Sequence, residues 1–405
     1  MDRRFFAKLL ALGAGSMPFL SLAARPDERE TPPENAAEQP PRDAATNMQP
    51  PVTIADMAEI ARRKLPKGAF DYITSGSEDE VTLRENIAAF RRLKIYTPIL
   101  KGVQRPDLST SVLGERIALP VLLAPASALS LFHRDGAQAA ARAASKSGTI
   151  FAMSGTCGSS VEEVSSATQG SLWFQLYVPK DRGITRRLIE RIERSGAKAI
   201  VVTVDLGERK DQDRRNRFRL PKAMLLKILR DDIGHKQLRN TIGDEELRAY
   251  NLNAWDISLS WDFIHWLRSV TKLPLLVKGI VTRENAVEAV NLGVEGIVVS
   301  NHGGRRLDGM PASIDVLEDI ATAVNGRTEI LLDSGVRRGT DVLKAIALGA
   351  KAVLIGRPYA WGLAAGGQAG VELVLEMLRA ELENAMIATG CANVDEITAS
   401  LLNRR

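Results

Sequence analysis

The sequence predicts an α/β fold closed into an eight-stranded parallel barrel, and three observations carry that prediction. From Leu119 onward, short runs rich in Leu and β-branched residues alternate with amphipathic helical stretches. Runs that are apolar throughout belong to strands buried on both faces of a parallel sheet. Eight such units occur, the number that closes a (β/α)8 TIM barrel. No Gly-x-Gly-x-x-Gly follows the first run, which argues against an open dinucleotide-binding sheet. Composition agrees: 45% of the 405 residues are hydrophobic and 25% charged, which excludes a disordered, collagen-like or coiled-coil chain. Two cysteines exclude a disulfide scaffold and a Cys-rich zinc module, and no metal-ligand spacing occurs.

In chain order, residues 1–24 read as an export signal. Asp2-Arg3-Arg4-Phe5-Phe6-Ala7-Lys8 is a basic start, followed by an apolar run to Ala24 broken by Gly13, Gly15 and Pro18. The run is too short and too broken for a comfortable membrane span. The paired arginines resemble a twin-arginine signal, with Asp2 for the usual Ser or Thr and Ala7 for the usual Leu. An ordinary secretory signal or an uncleaved anchor is the alternative, and either route predicts a periplasmic protein. Residues 25–51 hold seven of the eighteen prolines and twice as many acidic as basic residues, a solvated spacer. The signal carries +2 and the spacer −3, so the domain at 52–405 carries +6 of the chain's net +5.

A helical segment, about Thr53–Arg92, leads into the barrel. The strand candidates are Leu119–Pro125, Thr149–Ser154, Ser171–Val178, Ala197–Asp205, Pro274–Gly279, Val294–His302, Thr328–Asp333 and Ala350–Gly356. Helices are predicted over Asp135–Lys146, Gly183–Ser195, Glu284–Leu292, Ser313–Val324 and Gly339–Leu348. Chemistry in such barrels sits where the strands end. Those ends carry Gln175 and Tyr177, Thr203 and Asp205, Lys278, Ser300-Asn301-His302-Gly303-Gly304-Arg305, Asp333-Ser334-Gly335 with Arg337, and Gly356-Arg357. A helix cap accounts for Asp205 alone, but no structural role accounts for the whole set.

Taken together these residues resemble the FMN-dependent 2-hydroxy-acid oxidase and dehydrogenase family, and the resemblance spans residues 52–405. It rests on Ser300 to Arg305 above all. Further matches are Leu65-Pro66-Lys67 to Ser75-Gly76, Phe174 to Tyr177, Val277-Lys278-Gly279, Asp333 to Asp341 and Ile355 to Pro358. It implies oxidation of a small L-2-hydroxy acid, lactate-like, to the 2-oxo acid, with oxygen, a quinone or a cytochrome as electron acceptor. It implies His302 as general base, its pKa near working pH, with Asp205 on the far side of the imidazole. Of the four histidines, His133, His235 and His265 end no strand. Arg305 fits a carboxylate by paired charge-assisted bonds, and by resemblance Tyr72 and Tyr177 bind the substrate.

For the cofactor, the resemblance implies that Ser154, Gln175 and Thr203 bond the isoalloxazine ring. Lys278 lies near N1 and O2, and Ala126 and Ser127 near N5; Ser300 also belongs to the cofactor set. Asp333 holds the ribityl chain, and the phosphate lies at Gly335, Arg337, Gly356 and Arg357, the loops after strands 7 and 8. Other readings of the same residues are an FMN barrel acting on a peptide or larger hydroxy compound, or an FMN-binding protein without turnover. A homo-oligomer, a tetramer, is also implied.

The sequence departs from the family in four places. Arg306 replaces a common Gln, most simply as a solvent-facing charge, and Pro125-Ala126-Ser127 replaces Pro-Thr-Ala or Pro-Thr-Gly. Thr156 stands where glycolate oxidase-like members carry Trp, leaving substrate size open. After Asp205 the run Leu206 to Asp211 is shortened, so Arg209 is the expected second carboxylate ligand, with Lys210 its competitor. Seven basic and no acidic residues lie between Arg214 and Arg230. That stretch is a lid or oligomer contact, or else a peripheral contact with an anionic membrane. Nucleic-acid binding has no support beyond charge. Cys157 and Cys391 are expected to be buried free thiols.

Overall fold

The computed structural model describes residues 50–206, 221–227, 229–230, 242–243, 246–247 and 253–403. The signal, nearly all of the spacer, and both Arg209 and Lys210 lie outside the described residues. Eight parallel strands close a barrel in sequence order: β1 (Val121–Leu123), β2 (Phe151–Ser154), β3 (Leu172–Leu176), β4 (Ala199–Thr203), β5 (Leu275–Ile280), β6 (Gly296–Val299), β7 (Glu329–Leu332) and β8 (Ala352–Ile355). Register between the last and first strands pairs Leu354 with Leu122. The predicted strands are all present; seven are shorter than their apolar runs, and β5 is as long as its run but shifted by one residue.

Alternation along the strands builds two cores. Leu122, Ala152, Trp173, Val201, Leu276, Val298, Leu331 and Leu354 fill the barrel interior. Their neighbours Leu123, Met153, Phe174, Val202, Val277, Val299, Leu332 and Ile355 face the surrounding helices. Side chains one residue apart point to opposite faces, so a strand apolar at every position serves both layers. A hairpin, Thr110–Val112 with Glu115–Ile117, adds Val112 and Ile117 to the interior layer, and Glu115 accepts the Trp173 indole N–H at 2.9 Å.

The lead-in is three helices: α1 (Ile54–Lys64), α2 (Lys67–Thr74) and α3 (Val81–Arg92). Thr53 and Asp56 form a reciprocal capping box that starts α1. Pro66 removes an N–H and disfavours helix at Leu65, which ends α1. Helices α4 (Gly136–Lys146), α5 (Val161–Ser166) and α6 (Arg182–Arg194) follow β1, β2 and β3. After β4 come α7 (Lys222–Lys227) and α8 (Trp261–Val270). Helices α9 (Arg283–Asn291), α10 (Ser313–Val324) and α11 (Gly339–Ala347) follow the next three strands, and α12 (Arg357–Thr389) closes the ring, bent at Gly366 and Gly367.

The apolar face of α7 is already covered. Leu225, Leu226 and Leu229 are buried in a cluster with Leu247 and Ala254, and Ile242 and Trp255 pack on it. The Trp255 ring in turn meets Tyr177 edge-on, centroids 5.6 Å apart. Among the described residues no helix is long and apolar enough to cross a membrane. Cys157 and Cys391 are buried free thiols, as expected.

Candidate active site

The C-terminal ends of the strands open into a cleft of about 830 Å³, counting its open mouth, within the range of small-molecule sites. Tyr72, Ala126, Ser127, Gln175, Tyr177, Thr203, Lys278, His302, Arg305, Asp333, Gly335, Arg337, Gly356 and Arg357 all line it. Ser154 and Ser300 sit one layer behind. The Ser154 hydroxyl donates to Gln175 Oε1 at 2.9 Å, and Ser300 Oγ accepts from Lys278 Nζ at 2.8 Å and from the His302 N–H at 3.0 Å. Eight strands thus converge residues spread over nearly three hundred positions onto one wall.

His302 is the centre of the polar half. Its Nδ1 lies 2.9 and 3.1 Å from the two Asp205 oxygens, and its Nε2 lies 3.3 Å from the Tyr177 hydroxyl. A carboxylate accepts only, so Nδ1 carries the proton and Nε2 presents a lone pair toward Tyr177. Burial pushes the imidazole down to about 3, and the cations of Arg306 and Lys278 add to this against the pull of Asp205. Burial alone would raise the Asp205 carboxyl; His302, Lys278 and Arg306 outweigh it and hold the group well below the usual carboxylate range. The resting pair is therefore a neutral imidazole on an ionised carboxylate. Gly279 makes the approach possible: its φ is +116°, and a Cβ there would lie 2.8 Å from the Asp205 side chain. His302 itself has φ +58° and Ser334 φ +76°, two non-glycine residues held in the left-handed region at the site.

Lys278 and Asp333 form a buried ion pair at 2.9 Å. Burial would lower the ammonium, but Asp333 and Asp205 outweigh it and raise it. The second Asp333 oxygen accepts the Ser334 hydroxyl at 2.7 Å, and Ser334 Oγ accepts the Gly303 N–H at 2.9 Å. Asp333 thus ties Lys278 to the active-site loop as well as facing the cleft.

The arginines divide in a way the sequence did not predict. Arg305 donates to the carbonyls of Tyr72 and Ser75 at 2.8 and 3.1 Å, and its guanidinium lies 5.3 Å from the Tyr72 ring centroid. Arg357 donates to the carbonyls of Ile73, Thr74, Ser75 and Gly303. Both cations sit at the C-terminal end of α2, where exposed carbonyls and the helix dipole favour positive charge. They hold α2, and with it Tyr72, over the mouth. Arg337 is half-buried, donates to Val336 O at 2.8 Å and lies 5.2 Å from the Trp361 ring centroid. Burial lowers it to about 10, and Asp341 opposes this only in part.

Arg306 does not face solvent as its position suggested. Its guanidinium turns inward, donating to the Tyr177 hydroxyl at 3.3 Å and lying 5.7 Å from that ring's centroid. The solvent-facing reading failed because the guanidinium finds partners inside, the Tyr177 hydroxyl and ring, while Ser77 Oγ anchors the loop backbone by donating to Arg306 O at 2.9 Å.

Further residues support the loop from outside the recognised motifs. Asn86 of α3 and Asn301 exchange two amide hydrogen bonds at 2.9 and 2.7 Å, both buried. Asp308 caps the start of α3, accepting from the N–H groups of Val81 and Thr82 at 3.0 and 2.8 Å. Thr156 Oγ1 links Ser127 at 2.7 Å to Ser154 at 3.1 Å. Asn301 stands within a quoted motif, but Asn86 carries no local signal; only the fold pairs them.

Residues 61–404 match a family model described as FMN-dependent dehydrogenase. The chain is 47% identical over 358 residues to 2-hydroxyacid oxidase 1 of Homo sapiens, covering 87% of this chain and 96% of that one. It is 45% identical over 365 residues to an L-lactate oxidase of Nostoc sp., covering 88% of this chain and all of the relative. It is 48% identical over 349 residues to glycolate oxidase 1 of Oryza sativa subsp. indica, covering 85% and 94%. A crystal structure of mandelate oxidase superposes with a TM-score of 0.77 at 37% identity, over 87% of this chain and 98% of that one.

Proposed function

Because the chain belongs to the FMN-dependent dehydrogenase family and is an FMN-dependent 2-hydroxy-acid oxidoreductase, we propose that its substrate is an L-2-hydroxy acid of about lactate size, oxidised to the 2-oxo acid. The observation that carries the reading is the His302–Asp205 pair, whose Nε2 lone pair opens into a cleft that also holds Arg305, Tyr72 and Tyr177.

The cleft fits FMN on two counts. Gln175 Nε2 is buried with no hydrogen-bond partner among the described residues. Such a donor costs about 1–3 kcal/mol when unmet, and the carbonyl edge of a flavin ring would meet it. Arg337 is a half-buried cation on the cleft wall whose loss of hydration Asp341 offsets only in part, and a phosphate at the β7 and β8 loops would complete it. Gln175, Thr203 and Ser154 behind them are the proposed ring contacts, with Lys278 at the N1 side and Ala126 and Ser127 at the N5 side. Asp333 is assigned to the ribityl chain, and Gly335, Arg337, Gly356 and Arg357 to the phosphate. FMN bound there supplies the two-electron acceptor.

The chain's own residues do the rest. Arg305 and Tyr72 bind the substrate carboxylate, and Tyr177 donates to the substrate hydroxyl oxygen. His302 Nε2 takes the proton that the substrate gives up, and Asp205 stabilises the imidazolium that forms. Arg209 is the proposed second carboxylate ligand. Oxygen is the proposed acceptor, in keeping with the oxidases among the relatives. The test is product formation: L-lactate should yield pyruvate with uptake of oxygen, and D-lactate should not. Consumption of neither enantiomer, nor of glycolate or mandelate, would refute the reading.

The basic stretch from 214 to 220 lies outside the described residues; for the described part that follows, the covered apolar face of α7 favours a lid over a membrane contact. We also propose twin-arginine export to the periplasm, testable by substituting Lys for both Arg3 and Arg4 and following the folded enzyme to the cytoplasm. A homotetramer is proposed in solution, with light scattering as its check.

A further inference from the structure

Resting on that reading of His302, we propose that Arg306 is a positioning residue: it fixes the direction of the Tyr177 hydroxyl and sets the pH range over which His302 acts as base. The Tyr177 oxygen accepts from Arg306 Nη2 at 3.3 Å and lies 3.3 Å from His302 Nε2. A phenol has one proton to give. With an arginine donating to its oxygen, that proton is left to point at the Nε2 lone pair, or at a substrate oxygen that takes its place. A solvent-facing residue at 306 would leave the hydroxyl free to rotate.

The same guanidinium acts on the base by charge. Arg306 Nε lies 3.5 Å from His302 Nδ1. Nδ1 already donates to Asp205, so this contact is a cation against the imidazole and not a hydrogen bond. Among the described residues four ionisable groups face His302: Asp205 after β4, Lys278 of β5, Tyr177 after β3 and Arg306 from its own loop. Asp205 favours the imidazolium, while Lys278 and Arg306 oppose it. Lys278 is committed to Asp333, which offsets its charge, whereas among the described residues no carboxylate lies within ion-pair distance of Arg306. Arg306 is therefore the cation through which the site keeps Nε2 unprotonated at lower pH. Ser77 anchors the loop backbone from which Arg306 reaches the site.

The test compares Arg306→Gln and Arg306→Lys in the FMN-loaded full chain by two readouts. The first is kcat/KM against pH with L-lactate. The second is NMR titration of histidine-labelled protein, with His302→Gln identifying the resonance. Neutral imidazole is the active form, so activity is lost as pH falls through its pKa. Removing a like charge within about 4–6 Å should raise that pKa, and with it the acid limb, by about one pH unit in Arg306→Gln. Arg306→Lys should return both readouts most of the way. A limb and a resonance unmoved in Arg306→Gln, or an equal loss at every pH in both variants, would overturn the proposal. If the His302 resonance shifts but no 2-hydroxy acid is consumed, the reading of the reaction falls and this one stands.

Discussion

Replacing Asp205 by Asn isolates one charge at the centre of the site. The amide is nearly isosteric and its oxygen still accepts from His302 Nδ1, now 2.9 Å from a carboxylate oxygen. What is lost is the stabilisation of the imidazolium that forms when Nε2 takes the substrate proton. Taking the charge centres about 4 Å apart at an effective dielectric of about 20, Coulomb's law gives about 4 kcal/mol. At a tenfold change in rate for about every 1.4 kcal/mol, the reaction should slow about a thousandfold. Arg306 remains and opposes the imidazolium, as does Lys278 to the extent that Asp333 leaves its charge unmet, which acts in the same direction. The assay is stopped-flow reduction of the bound flavin by saturating L-lactate without oxygen, with FMN content confirmed by the visible spectrum. A fall of less than tenfold with FMN retained would refute the assignment of Asp205 as the partner of the base.

Four other outcomes are expected. His302→Ala should keep FMN, read from its spectrum, and lose turnover; an active variant would overturn the base assignment. Gly279→Ala forces a φ of +116° on a residue with a Cβ and drives that atom onto Asp205, so thermal unfolding should show a loss of about 1–3 kcal/mol. Asn86→Leu removes two buried hydrogen bonds to the Asn301 amide, which keeps only Pro311 O and the Gly304 N–H, and should lower stability by about 1–3 kcal/mol in denaturant titration. The folded His302 titrates near 3 against 6.5 for an exposed imidazole. The unfolded chain therefore takes up a proton first as pH falls, and stability is lost from about pH 6.5 downward; His302→Gln should flatten that slope in thermal melts between pH 7 and 5.

The barrel was legible because its strands are apolar over most of their length on both faces, which points to burial on both sides, with polar residues such as Gln175, Thr203 and Lys278 confined to the ends that face the cleft. Runs such as Ser171–Val178 overstate the strand, since the residues past Leu176 stay apolar or aromatic while turning into the cleft. The rim residues were legible because strand ends coincide with His302, Asp205 and Lys278 in motifs of high specificity. What could not be read was the direction of long side chains. Arg305 and Arg357 reach carbonyls at the end of α2, residues some 230 to 284 positions away, and no local pattern records that meeting. Arg306 is the same case in reverse: a charge that local reading turns outward, and that finds its partners inside at Tyr177. Asn86 pairs with Asn301 across 215 positions, and a lone Asn on an amphipathic helix gives no hint of it.

The most direct test of the account is the absorbance of the purified yellow protein when L-lactate, glycolate and L-mandelate are added in turn without oxygen. The account predicts that the flavin bleaches with at least one of them, and that the wild-type spectrum returns when air is admitted. A protein that holds FMN and keeps its full absorbance with all three would contradict it.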